Sequence, residues 1–410
     1  MKKAATLFFA GIISFSPLFM QAQMGGWTQR ASFPPGGRSA AAGFGLGSAA
    51  YISCGIDSAG YKRSTWYYDP AADLWSQLTS LGGITGSGLS RDVAMCFSIG
   101  TNAFVVGGQG SIAYMSDTWK YDAVSDTWTQ VQSFAGGGRR AGVGFTINGK
   151  GYVALGQSST GLKNDTWEYN PGTNVWTQKA LYPGTARRLA VAFVINNIAY
   201  VGTGDDGVFK GDFYAYDPSA NTWSPKAAFG GTPRYGATGF ALNNKGYVGF
   251  GYDNQLMNRK DFWEYDPVAD TWTQMNNFPG TARSNVTAIA LPNNHAYMGL
   301  GYDSLYREDW WDFDPLSTGI SEQTFSANSF TLFPVPMTDH STLQFDAQAV
   351  AQDEKVTIGI YDLAGNEVKE IMSNGNTPVT IGRGNMVPGV YIVSVQPEKS
   401  HAVSRRLVVQ

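Results

Sequence analysis

Six arginines stand at equivalent points of the 410-residue chain: Arg38, Arg91, Arg139, Arg187, Arg234 and Arg283. Each precedes a run of small residues, as in AAAGF, AGVGF and ATGF. Guanidinium groups gathered near one axis would favour carboxylate or phosphate ligands held bidentately. Arg140 and Arg188 double the arginine in two copies. A second candidate set follows a recurrent glycine: Asp205 with Asp206, Tyr252-Asp253 and Tyr302-Asp303. A carboxylate there could serve as general acid or base, although no single pair stands out. The competing reading of the arginines is structural, each pairing with a neighbouring Asp or strand-end carbonyl and tying adjacent copies together. Asp117, Asp165, Asp212, Asp261 and Asp309, each two residues before a large aromatic, read as recurrent turn hydrogen-bonders.

Composition narrows the chemistry. Three His and two Cys cannot supply histidine-rich metal sites, zinc clusters or a disulfide scaffold. His295 reads as a turn residue, because sister copies place Lys150 and Lys245 in the same turn. Cys54 and Cys96 fit either buried thiols or, if the chain is exported, a disulfide. No GxSxG, HExxH or P-loop is present, and the net charge of −3 gives no electrostatic case for nucleic acid. We therefore assign no catalytic residue, no metal and no cofactor. Fifty glycines, 14% aromatic and only 15% charged residues argue for an all-β chain with a large core.

Repetition supplies the elements that must hold these residues. Trp75, Trp128, Trp176, Trp223 and Trp272 recur at intervals of 47 to 53, each six residues after an Asp or Asn. Asp314 opens a sixth copy that lacks its Trp. The distance from each ring arginine to its third-strand aromatic (Trp66, Trp119, Trp167, Tyr214, Trp263, Trp311) is 27 to 29 residues. Each copy thus reads as four short strands, with small residues innermost and Trp or Tyr filling the widening outer gaps. Trp27 lies 11 residues before Arg38, the spacing that also separates Trp272 from Arg283. Trp27 therefore belongs to a fourth strand that completes the last sheet and closes a ring of six.

The ends differ. Met1-Lys2-Lys3, an apolar run from Ala4 to Phe19 and the small Ala22 read as a secretory signal over residues 1–22. No other segment is long and apolar enough for a spanning helix. Residues 317–328 read as a linker, and 329–410 as a small Ig-like β-sandwich with strands at Thr342–Phe345, Val356–Tyr361, Val379–Ile381, Val390–Val395 and Leu407–Val409.

The pattern of Arg with small residues, a hydrophobic run ending in Gly, then an aromatic and a Trp nine apart resembles kelch-repeat proteins over residues 23–316. The full Gly doublet stands only at Gly107-Gly108. The resemblance implies a six-bladed β-propeller whose arginine-bearing face binds peptides or small ligands. Galactose oxidase, a copper enzyme of this fold, needs two histidines and a Cys–Tyr pair that this propeller lacks. FPVP (333–336), IYDLAGNEV (360–368), VPGVYIVSV (387–395) and RRLVVQ resemble the type A C-terminal sorting domain of the Bacteroidetes type IX secretion system. That resemblance implies export to the surface or beyond, with the secretion machinery as partner of residues 329–410. The expected function is a binding module for a protein, peptide or anionic glycan. The alternatives are a metal-independent sugar-modifying enzyme similar to sialic-acid mutarotase, which the residues reach only at the level of fold, and a structural surface protein.

Overall fold

The computed structural model describes residues 24–83, 89–318, 330–345, 355–363, 365–374, 377–397 and 403–410. The expected signal segment (1–22) and residues 319–328 of the expected linker lie outside the described residues. The chain divides into two units, residues 1–319 and 320–410. Among the described residues every element is a β-strand, and no helix is long and apolar enough to cross a membrane.

Among the described residues the first unit holds six four-stranded antiparallel sheets, or blades, and three two-stranded ones. Their innermost strands are Ala42–Leu46, Met95–Ile99, Val143–Ile147, Val191–Ile195, Thr238–Leu242 and Thr287–Ala290. The outermost strand of blade 6 is Met24–Arg30, so the two ends of the ring meet in one sheet. Trp27 pairs with Phe313 in the register in which Trp272 pairs with Tyr265. The third strand of blade 6, Trp310–Thr318, runs two residues past 316.

Small inner residues have a direct cause at the axis. Ala40, Val93, Ala141, Leu189, Gly236 and Asn285 each sit just before an inner strand with φ between 42° and 61°. Each donates its N–H to the carbonyl of its counterpart in the preceding blade, at 2.8–3.3 Å, and Ala40 closes the circle on Asn285. A closed belt of six hydrogen bonds satisfies backbone groups that sheet ladders leave over. Side chains beyond the belt must be small, because the six strands converge there.

Between blades the packing is aromatic. Phe44 and Phe97 reach Tyr121 and Tyr169 of the next blade at ring-centroid distances of 6.3 and 6.2 Å. Within its own blade Phe44 stacks on Tyr51, as the pairs Phe97–Phe104, Phe145–Tyr152, Phe193–Tyr200 and Phe240–Tyr247 do. Gly151 lies under the Phe97 ring of the neighbouring blade, where a Cβ would stand 2.0 Å from a ring carbon. Some of the glycine excess is therefore a clearance requirement between blades rather than turn chemistry. The outer turns add cross-blade bonds: Trp128 Nε1 donates to Thr79 O at 2.9 Å, and Asp126, held by Tyr121 Oη of its own blade, accepts from Thr79 N.

Among the described residues the second unit is a sandwich of a three-stranded and a four-stranded sheet around Phe330, Leu343, Ile358, Ile381, Val393 and Leu407. Two of its strands, Phe330–Phe333 and Glu367–Asn374, have no counterpart in the sequence reading. Glu367–Asn374 is an edge strand with mostly exposed side chains, so it lacks the apolar alternation that marks a strand.

Candidate functional site

The six ring arginines lie at one end of the propeller, each at 2% exposure or less. In blades 2 to 6 their guanidinium groups are spent on ion pairs inside their own blades. Arg91 meets Asp117 bidentately at 2.6 and 2.8 Å and donates to Gly107 O at 2.9 Å. Arg139–Asp165, Arg187–Asp212, Arg234–Asp261 and Arg283–Asp309 repeat the arrangement. Each carboxylate except Asp212, whose neighbour is Tyr214, also accepts from an indole two residues on, as Trp119 Nε1 does to Asp117 at 2.7 Å. Asp117, Asp165, Asp212, Asp261 and Asp309 are thus ion-pair partners of the ring, a role that adds to or replaces the turn bond read from their spacing. Burial pushes Asp117, Asp165 and Asp261 up, but their arginines outweigh it and hold them below the ordinary carboxylate range.

The side-chain pairs stay within a blade, and it is the arginine backbone that ties blades together. Arg91 N donates to Lys62 O and Arg91 O accepts from Gly55 N, both in blade 1. The same pair of bonds recurs at Arg139, Arg187, Arg234, Arg283 and Arg38. A guanidinium buried in this way presents no free fork to a ligand.

Asp253 and Asp303 are loop organisers in the same sense. Asp253 is fully buried and accepts from Thr232 Oγ1, Gln255 N and Arg259 Nε. Asp303 accepts from Leu305 N and Arg307 Nε. Burial raises both carboxyls, yet these donors bring them below the usual range. Asp57 with Lys62 and Asp206 with Lys210 are the counterparts in blades 1 and 4.

A different layer lies next to the ring around the axis. It consists of the residue after each ring arginine (Ser39, Asp92, Arg140, Arg188, Tyr235, Ser284) and the residue after each second-strand glycine (Ile56, Gln109, Gln157, Asp205, Tyr252, Tyr302). The two sets face each other in antiparallel bridges, one per blade. Asp205, Tyr252 and Tyr302 from the sequence reading fall here, while the six ring arginines, Asp253 and Asp303 do not.

The mouth is two-sided. Across blades 2 to 4, Arg140 donates to Gln157 Oε1 at 2.8 Å and to Gln109 Oε1, with its guanidinium 4.9 Å from the Tyr114 ring centroid. Arg188 donates to the same Gln157 oxygen at 3.1 Å and pairs with Asp205 at 3.0 Å. Across blades 4 to 6 the mouth is aromatic: Tyr235 lies 5.0 Å from Phe209 and 5.7 Å from Tyr252, and Tyr302 lies 5.1 Å from Tyr306. Arg140 thus has amide oxygens but no carboxylate in ion-pair reach among the described residues. Burial pushes the Asp92 carboxyl up to about 6, against the opposing charge of Arg140. Below the mouth, Ala40, Ala141, Gly142, Ala190 and Gly236 line a cavity of about 130 Å³ at the hydrogen-bonded belt.

In the sequence Arg140 and Arg188 read only as doublings of the ring arginine, and Asp92, Gln109 and Gln157 belong to no motif there. The usable signal was in the columns beside the constant Arg and Gly, where residue type changes from blade to blade. Elsewhere, His295 occupies its turn and meets Asp312 at 2.6 Å, and Cys54 and Cys96 are unpaired thiols. Burial raises Cys96 to about 12.

Comparison with known proteins fits this geometry. Residues 95–135 match the kelch motif, and residues 331–410 match the secretion system C-terminal sorting domain. The chain is a kelch propeller with a type IX sorting domain. The solved structure of YjhT superposes on the kelch propeller at a TM-score of 0.57 and 17% identity, covering 68% of this chain and 94% of that one. That likeness is one of fold. An endo-acting ulvan lyase of Formosa agariphila is 25% identical over 104 residues, 25% of this chain and 19% of that protein. The sorting domain marks the kelch propeller for export by the type IX system to the surface or beyond.

Proposed function

We propose that the exported propeller is a binding module whose ligand docks at the mouth defined by Arg140, Arg188, Tyr235 and Tyr252. Arg140 carries the reading: a half-buried guanidinium, oriented by Gln109 and Gln157, with no carboxylate of its own. Two guanidinium groups on one side and a tyrosine cluster on the other fit a ligand that joins an anionic group to an apolar face, an acidic glycan or an acidic, aromatic-bearing peptide. An array of immobilised glycans and peptides, probed with the mature chain and with Arg140→Ala/Arg188→Ala, tests it. Binding that the double variant abolishes supports the reading, and binding that survives unchanged removes it.

Asp92 supports a second reading. A carboxyl that titrates near 6 beside a guanidinium suits general acid–base work on a carboxylated sugar without a metal. An anomerisation rate for sialic acid, measured by NMR, that equals buffer alone would remove this reading.

A further inference from the structure

Blade 1 breaks the pattern of the buried ring at one point. Ser64 stands where the other blades have Asp117, Asp165, Asp212, Asp261 and Asp309. Arg38 is nonetheless buried like its sisters, at 2% exposure, beside the Phe33 ring. Its Nη1 donates to Cys54 O at 3.0 Å and its Nη2 to Ser64 Oγ at 3.1 Å. Among the described residues it makes no ion pair, and its Nε has no hydrogen-bond partner.

The indole is orphaned as well. In blades 2, 3, 5 and 6 the aspartate also accepts from the Trp two residues on. Trp66 keeps the same packing, 5.7 Å and 70° from Phe33, as Trp167 does at 6.0 Å and 77° from Phe134. Its Nε1 is buried without a partner. A guanidinium, an indole N–H and a serine hydroxyl therefore converge where a carboxylate sits elsewhere, and Ser is two heavy atoms smaller than Asp. Nearby charges do not fill the role: Asp57 is paired with Lys62 at 2.8 Å, and Glu308 is exposed and in no ion pair with Arg38.

We propose that blade 1 binds a small monovalent anion, chloride or the carboxylate of a formate-sized acid, between Arg38, Ser64 and Trp66. A buried guanidinium without a counter-charge is costly, and an anion that binds only the folded state removes that cost by mass action. Burial lowers the Arg38 guanidinium from its ordinary value, with Cys54 and Asp57 opposing it only in part, a shift that a bound anion reverses.

Thermal unfolding of the full exported chain tests the site at constant ionic strength, with sodium isethionate replaced stepwise by chloride or by formate. The wild type shows a saturating rise in Tm on the order of 2 °C with at least one of the two. A rise with chloride alone identifies a halide site, and a rise with formate alone a carboxylate site. Ser64→Asp supplies the missing carboxylate, so its Tm exceeds that of the wild type and no longer responds. Arg38→Met also loses the response. Bromide-soaked crystals show an anomalous peak between Arg38 and Trp66. A flat wild-type titration, or the same rise in Ser64→Asp as in wild type, overturns the proposal.

Discussion

Two layers of arginine lie one residue apart in the chain and behave in opposite ways. Arg139 is fully buried, meets Asp165 bidentately and donates to Leu155 O. Arg140, its neighbour, is half-buried and held only by amide oxygens and a tyrosine ring. The Arg139 layer is almost the same in every blade. The Arg140 layer changes from Ser39 to Asp92 to Tyr235 around the axis. A feature required by the geometry of a blade is repeated with the blade, whereas a ligand that lacks six-fold symmetry needs different groups at different blades. Constancy here marks the scaffold, and variation is what the proposed ligand-binding mouth requires.

The sharpest way to break this contrast is to unpair the scaffold layer. Asp165→Ala leaves Arg139 buried without its counter-charge and should cost about 3 kcal/mol, read by denaturant unfolding. Adding Arg139→Met to that variant should recover part of the loss, because the stranded charge rather than the missing attraction dominates. A loss below about 1 kcal/mol for Asp165→Ala would place the ring among ordinary surface pairs.

The layers should also respond to pH with opposite signs. Asp117, Asp165 and Asp261 titrate below their unfolded value of 3.8, so their contribution is complete above about pH 4 and lost as pH falls through the folded values. Asp92 titrates at about 6, above its unfolded value. It favours folding below about pH 4, and that contribution is lost as pH rises to 6. Asp92→Asn should therefore stabilise the protein at pH 7.5 by on the order of 1 kcal/mol and flatten the pH 4–6 part of the stability curve. An unchanged curve would show that Asp92 is solvated in solution.

The smallest stability effect belongs to the mouth. Arg140→Ala and Arg188→Ala should each change unfolding free energy by no more than about 0.5 kcal/mol. Their consequence should be a loss of at least about tenfold in affinity for the captured ligand, as expected for a charge-assisted contact. A destabilisation as large as that of Asp165→Ala would assign Arg140 to the scaffold and erase the contrast.

The fold was legible because its signals are periodic. The aromatic spacing, the constant Arg-to-Trp interval and the position of Trp27 are consequences of one blade geometry applied six times, and Trp27 pairs with Phe313 as they require. The site was less legible for the same reason. Attention to repeated residues led to Arg38, Arg187 and Asp253, whose repetition reflects burial and loop-making. Tyr252, Tyr302 and Asp205 were reached because they adjoin a repeated glycine. Gln109 and Gln157 carry no charge and match no motif, and Asp92 gains its character only from burial beside Arg140, which no local spacing encodes.

Hydrogen exchange of the mature chain, with and without a ligand from the array, distinguishes a ligand at the mouth from one bound elsewhere. Slowed exchange is expected at backbone amides of residues 92, 109, 140, 157, 188 and 252, with no change in the turns at Asn148-Gly149 and Asn243-Asn244 at the other ends of the inner strands. Protection confined to those turns, or spread over the outer strands alone, would contradict docking at the mouth.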